Sequence, residues 1–272
     1  MPKLARIAAS TAFALLIAVA AMGVQPAPAA AAGLSIGEAE LQAVRLLNAE
    51  RARAGLVAVR VDSRLMAIAR QRSADMANRN YFSHVSPSGK SVFDMIISAG
   101  ITWYGAGEII AWNTYPSLAD SAEAAKDGWM GSSSHRAIVM SKDFNYVGLG
   151  LAVDSNGKKL WTGVFIKGPD RTGGYVQLAP LPRTTLAAGE SYRIITVSWS
   201  GNDIRLATMT SGFRHYQIQV RTNGGAWIWW ATATTRTSQG VKVWRGKNYD
   251  LRIRACDRAG NCGGWKTQHL DI

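Results

Sequence analysis

Residues 146–167 read Tyr146-Val-Gly-Leu-Gly-Leu-Ala-Val153, Asp154-Ser-Asn-Gly157, Lys158-Lys-Leu-Trp-Thr-Gly-Val-Phe-Ile-Lys167. Val147, Leu149, Leu151 and Val153 alternate with Tyr146, Gly148, Gly150 and Ala152, the period of two that a half-buried strand requires. Asp154 to Gly157 is turn chemistry, and Leu160 to Lys167 runs back as a second strand, so the stretch predicts an antiparallel hairpin. What precedes it is helical. Ser35 and Glu38 form an S-x-x-E capping box, Leu41, Val44 and Leu47 follow at helical spacing, and Gly55 sits where a stop is expected. A second helix starts near Asp62, with Leu65, Ile68, Ala69, Arg72 and Met76 recurring at three and four. A third covers Ser91 to Ala99 and stops at Gly100; a fourth runs from Ser117 to Met130. Helices followed by a small antiparallel sheet make this part α+β.

The pattern changes after about residue 170. Gly173-Gly174, Pro180 and Pro182 mark residues 171–182 as a linker. Beyond it the sequence predicts strands and turns: Ile194–Trp199, His215–Arg221, the turn Asn223-Gly-Gly225 into Ala226–Ala231, and the alternating run Tyr249–Cys256. Short strands at this spacing predict an all-β sandwich over residues 183–272.

The whole chain has 272 residues, 47% apolar and 18% charged, a globular rather than a disordered composition. Lys3 and Arg6, an apolar run from Ala8 to Val24, the breakers Pro26 and Pro28, and Ala30-Ala31-Ala32 read as a secretory signal peptide over residues 1–32, cleaved near Ala32. An uncleaved anchor is the alternative, disfavoured because the run is barely long enough to span. Two cysteines exclude a disulfide-dense scaffold and a four-cysteine zinc site. Export permits Cys256 and Cys262 to close a short disulfide loop; free thiols are the alternative. Neither GxxxxGK[ST] nor HExxH occurs.

The net charge of +13 is uneven: residues 176–272 carry 13 Lys+Arg against 5 Asp+Glu, residues 33–175 only 16 against 13. Six of the ten tryptophans (Trp199, Trp227, Trp229, Trp230, Trp244 and Trp265) also lie in the second part. A basic, tryptophan-rich exported module fits cell-wall polyanions or glycans as partners. The structural alternative is a tryptophan-containing core under a solvated basic face, favoured for Trp199. Export argues against nucleic acid as a natural partner.

Of four histidines, two lie in the α+β part, in Tyr81-Phe-Ser-His84-Val-Ser-Pro-Ser-Gly89 and Trp129-Met-Gly-Ser-Ser-Ser-His135-Arg136; between them lies Gly105-Ala-Gly-Glu108-Ile-Ile-Ala111. Two imidazoles and a carboxylate suit a zinc-like divalent metal and leave an open position for metal-assisted hydrolysis. Alternatively both histidines cap turns and hydrogen-bond Glu108. Ser132, Ser133 and Ser134 lack a G-x-S-x-G elbow and read as turn and cap residues.

These motifs resemble the bacterial branch of the CAP superfamily, the cysteine-rich secretory protein family. The match runs over about residues 41–166: Asn48-x-x-Arg51, Leu65 to Ala69, Tyr81 to His84, Gly107-Glu-Ile-Ile110, Trp129 to Arg136, and Val147-Gly-x-Gly150. The resemblance implies an α-β-α sandwich over residues 33–170, with His84, Glu108 and His135 facing a groove as metal ligands or catalytic groups. The family's second acid falls on Ser132; Asp127 and Glu123 are the nearby substitutes. Ile109, Ser133 and Ser134 depart from the usual pattern. Tyr81, Trp103, Tyr104 and Trp112, with Ser132, are groove candidates for a lipid or sterol-like ligand; Trp103, Tyr104 and Trp112 read as loop residues around Glu108. Residues 183–272 are similar to a fibronectin type III or Ig-like fold, with Tyr249 at the tyrosine-corner position. Together these readings give an exported, cell-envelope or extracellular binding protein. A metal-dependent hydrolase and an adhesin are the alternatives.

Overall fold

The computed structural model describes residues 33–181 and 186–270. Residues 1–32, where a leader and its cleavage point are expected, and residues 182–185, where the expected linker ends, lie outside the described residues.

Five helices, α1 (Ile36–Arg53), α2 (Ser63–Asn78), α3 (Val92–Ser98), α4 (Leu118–Gly131) and α5 (Ser133–Val139), accompany four strands, β1 (Arg60–Val61), β2 (Gly105–Asn113), β3 (Tyr146–Val153) and β4 (Lys159–Lys167). The first four helices start where side-chain caps predict. Ser35 and Ser91 each form a capping box, and Asp62 and Ser117 accept from first-turn amides. Gly55 and Gly100 follow α1 and α3 with φ +68° and +64°, a conformation in which glycine pays no Cβ penalty. One expectation on α1 is corrected: Leu41 is exposed, and the buried stripe is Ala39, Glu40, Ala43, Val44, Leu47 and Arg51.

The sheet order is β1-β3-β4-β2, with β1 parallel to β3 and the other pairs antiparallel. Helices cover both faces. Ala43, Val44 and Leu47 of α1 and Ala122, Ala125 and Trp129 of α4 pack with Ile109, Leu149, Trp161 and Phe165. On the other face Leu65, Ile68 and Ala69 of α2 and Val92 and Ile96 of α3 pack with Tyr146, Val164 and Ile166. The glycines of β3 set the α2 contact. A Cβ on Gly148 would lie 2.1 Å from the Leu65 carbonyl carbon, and one on Gly150 2.1 Å from the Arg70 amide nitrogen. The helix backbone therefore rests directly on the strand, which only residues without a side chain permit. β2 corrects the sequence reading, which places the residues around Glu108 in loops; it pairs with β4 along its length, Glu108 opposite Val164.

The second part is all antiparallel. β5 (Tyr175–Leu178), β6 (Tyr192–Asn202) and β9 (Ser238–Trp244) form one sheet in the order β5-β6-β9. β7 (Phe213–Thr222), β8 (Ile228–Thr234), β10 (Tyr249–Asp257) and β11 (Lys266–Leu270) form the other, ordered β11-β10-β7-β8. Their inner residues share one core, with Val197, Trp199 and Val243 meeting Ile218, Leu251 and Ile253. Trp199 is buried, its ring edge-on to Tyr216. Cys256 and Cys262 are disulfide-bonded.

Residues 171–182 do not all form a linker: 175–178 are β5, paired with β6. Gly173 and Gly174 are close-approach glycines rather than flexible ones. A Cβ on Gly173 would lie 2.3 Å from the Cys262 carbonyl carbon, and one on Gly174 2.8 Å from Asn202 O. The two parts pack together. Arg171 pairs with Asp62 at 2.7 Å, Asn145 Nδ2 donates to the Thr208 carbonyl at 3.3 Å, and Leu206 enters the α2–α3 core. Among the described residues no helix is long and apolar enough to cross a membrane.

Candidate functional site

The site begins with a buried charge on α2. Arg72 is 2% exposed and lies inside the helix's apolar stripe. Its Nε donates to Glu108 Oε1 at 3.3 Å; its other nitrogens donate to the Tyr81 hydroxyl and the Ser83 carbonyl. The Tyr81 hydroxyl in turn donates to Asp75. Arg72 thus ties the segment that follows α2 to the sheet, and this segment carries His84.

Glu108 lies on β2 with its side chain 4% exposed. Its second oxygen, Oε2, is 2.6 Å from His84 Nδ1. Burial pushes the Glu108 carboxyl above the usual carboxylate range, against the opposing pull of His84 and Arg72. His135 lies on α5, its ring centroid 6.2 Å from that of His84 and tilted by 57°. Burial, and then the neighbouring His84, lower the His135 imidazole below its ordinary value. The fold therefore brings together His84, Glu108 and His135 from a loop, a strand and a short helix. Their ligating atoms do not all lie within 4.8 Å of one another; among the described residues, the set of three that does is Asp170, Asp203 and Asp257.

The other expected residues divide. Ser132 is the N-cap position of α5, with its hydroxyl 3.2 Å from that of Ser134 and no capping bond. Glu123 and Asp127, the substitutes for the second acid, both pair with Lys126 on the surface of α4. Tyr81 belongs to the Arg72 network. Trp103 stacks on Phe93 beside the α2–α3 core, ring centroids 6.3 Å apart. Tyr104 and Trp112 are exposed, but each is four residues from Glu108, roughly 13 Å along extended chain. Trp112 is on β2, not in a loop, and Lys158 Nζ lies 4.4 Å from its ring centroid. A cleft of about 660 Å3 opens between α2 and α3, with Arg72, Asp75, Arg79, Ser86, Lys90 and Asp94 in its wall; His84, Glu108 and His135 do not line it.

Sequence reasoning passes over Arg72 as a site residue, although a charge inside an apolar stripe is the available signal. Asn48 and Arg51 prove structural. Asn48 exchanges two hydrogen bonds with the Val59 backbone, and fully buried Arg51 donates to the carbonyls of Val57, Val139 and Ser141.

Comparison with known proteins agrees with this arrangement of motifs. Residues 44–165 match the model of the cysteine-rich secretory protein family, CAP. The chain is 38% identical over 132 residues to the uncharacterised protein YkwD of Bacillus subtilis (strain 168), covering 48% of each. It is 34% identical over 128 residues to the uncharacterised membrane protein YlbC of the same organism, covering 47% of this chain and 34% of that one. The chain thus spans about half the length of the first relative and a third of the second. A solved extracellular protein containing an SCP domain, from Bacillus anthracis str. Ames, is 28% identical, covering 50% of this chain and 45% of that chain with a TM-score of 0.42. Residues 44–165 are a domain of the CAP family.

Proposed function

We propose that this chain is an exported or cell-envelope binding protein whose His84–Glu108–His135 site takes a divalent metal through the two imidazoles, with Glu108 as the carboxylate that orients His84. The single observation that carries this reading is the 2.6 Å contact between Glu108 Oε2 and His84 Nδ1. It commits Nδ1 and leaves Nε2 as the ligand atom, the usual arrangement behind a metal-bound histidine. The spacing is close to what two ligands need. A tetrahedral ion about 2.0–2.1 Å from each nitrogen places two imidazole centroids roughly 5 Å apart; here they stand 6.2 Å apart, a difference that a small side-chain rotation covers. Zinc bound there would supply a Lewis-acidic centre with open positions.

The hydrolase reading is weaker. Each oxygen of Glu108 already has a partner, Arg72 for one and His84 for the other, and the side chain is only 4% exposed, which places it poorly to meet a nucleophile. Ser132 stands where the second acid would be. For the second part we favour a fibronectin type III-like module. Its strand order supports this, as does the Tyr249 hydroxyl, which accepts from the Trp244 amide at 3.2 Å as a tyrosine corner does. Its basic face is a row in which Arg221, Arg252 and Arg254 lie over Trp227 and Trp265. Guanidinium groups on these rings disfavour glycan stacking and leave polyanions as the fitting partner.

The test is calorimetric zinc titration of the mature protein and of a His84→Ala, His135→Ala double variant. Stoichiometric binding lost in the variant is the expected result. Binding in neither protein would leave the histidines structural and turn attention to wall polyanions at the Arg252–Arg254 face.

A further inference from the structure

A second cluster of oxygen ligands lies where the two parts of the chain meet. Asp170 follows β4, Asp203 follows β6, and Asp257 ends β10. All three are buried, and one oxygen of each lies within 4.8 Å of the others. Among the described residues, none of the three carboxylates forms an ion pair with a lysine or arginine.

Their hydrogen bonds leave the charge uncompensated. Asp170 accepts from the amides of Thr172 (2.9 Å) and Ser211 (2.8 Å). Asp257 accepts from the Asn261 amide and side chain, each at 2.7 Å, and Asp203 Oδ2 accepts from the Gly212 amide at 2.6 Å. The Ser211 hydroxyl sits among the three, 2.8 Å from Asp170 Oδ2, 2.7 Å from Asp257 Oδ2 and 3.4 Å from Asp203 Oδ2. It has one proton to donate and cannot serve three acceptors. Independently, Asp203 Oδ1 is buried and has no hydrogen-bond partner, on a residue only 8% exposed whose carboxylate faces Ser211 and the other two acids. A buried carboxylate oxygen without a donor is costly, and three together repel one another.

We infer that Asp170, Asp203 and Asp257, with the Ser211 hydroxyl, bind a calcium ion that fastens the CAP domain to the β-sheet module. The ligands are all oxygen, which selects a hard cation. Three carboxylate oxygens that all lie within 4.8 Å of one another fit around one ion with ligands at about 2.3–2.6 Å, and a cage of protein oxygens suits calcium better than magnesium, which keeps several waters. The ion ties the junction because its ligands come from both sides of it. Asp170 belongs to the chain leaving the CAP domain. Asp203 and Ser211 bracket the loop that puts Leu206 into the α2–α3 core and the Thr208 carbonyl on Asn145. Asn261 donates to the Asp170 carbonyl as well as to Asp257.

The experiment is calorimetric calcium titration of the mature, chelator-treated protein, with melting followed with and without 10 mM calcium. The expected result is one calcium per chain and a melting point several degrees higher with the ion. Asp203→Asn, which keeps the acceptor for the Gly212 amide, abolishes both effects; the His84→Ala, His135→Ala protein retains them. In chelator Asp203→Asn melts no lower than the parent, because it relieves repulsion, and this separates loss of the site from loss of the fold. Absence of calcium binding by the folded parent at 10 mM would overturn the inference. So would undiminished binding by Asp203→Asn, or tighter binding of magnesium than of calcium.

Discussion

Replacing Arg72 by Met keeps an unbranched chain of similar length and removes the guanidinium that holds Glu108. Arg72 and Glu108 side chains are 2% and 4% exposed and 3.3 Å apart. Removing one partner of such a buried pair costs about 3–5 kcal/mol, because the other is left charged and unpaired. Glu108 limits this cost by keeping its 2.6 Å contact with His84 and by taking up a proton. The folded-state carboxyl is already above its ordinary range and Arg72 pulls it down, so the substitution raises it further. A carboxyl raised on folding contributes stability that is full below its ordinary range and lost as pH rises through the folded value. Arg72→Met therefore loses about 3 kcal/mol or more at pH 8 and distinctly less at pH 5, where Glu108 is more readily neutral. Urea denaturation of residues 33–272 at the two pH values measures both, provided the denaturant slope is unchanged. A loss below about 1 kcal/mol, or an equal loss at both pH values, would refute the role assigned to Arg72.

Gly148→Ala drives a methyl group to 2.1 Å from the Leu65 carbonyl carbon, so α2 must lift from the sheet; a destabilisation of about 3 kcal/mol is expected from such overpacking. Gly128→Ala, on α4 with nothing within 4 Å of the new Cβ, is the control and should stabilise by up to about 1 kcal/mol; denaturant midpoints that shift the same way in both would contradict the contact. His135 has a lowered folded-state value. The stability it contributes is present above the ordinary imidazole value and lost as pH falls below it. His135→Asn should accordingly flatten the fall in melting temperature between pH 7.5 and pH 5, and an unchanged slope would count against an imidazole that folding holds neutral.

Local chemistry in the chain is enough to place the first four helices and the β3–β4 hairpin. The capping residues Ser35, Asp62, Ser91 and Ser117 satisfy amides within one turn, and a period of two or 3.6 is a local property. β2 reads as loop in the sequence because its strand character comes from pairing with β4, and Gly105, Gly107 and Glu108 carry little strand propensity of their own. β5 is hidden beside a Gly-Gly pair. Those glycines mark close approach to the disulfide loop, and glycine in a sequence does not say which of its two uses applies. Leu41 misleads for the converse reason: helical spacing alone does not say which stripe faces the sheet.

The same division holds for the candidate sites. By itself the sequence determined the residue types His84, Glu108 and His135 and the order of motifs around them. Tertiary structure decided that Glu108 Oε2 contacts His84, that Arg72 holds the other oxygen, and that Glu123 and Asp127 turn to Lys126 instead. It alone gathers Asp170, Asp203 and Asp257, which are separated by 33 and 54 positions in the chain. The reason is physical. Helix caps and strand alternation act between neighbours in sequence. The environment of a charge is set instead by whatever the packed elements place within a few ångströms, and that is written in no single stretch of residues.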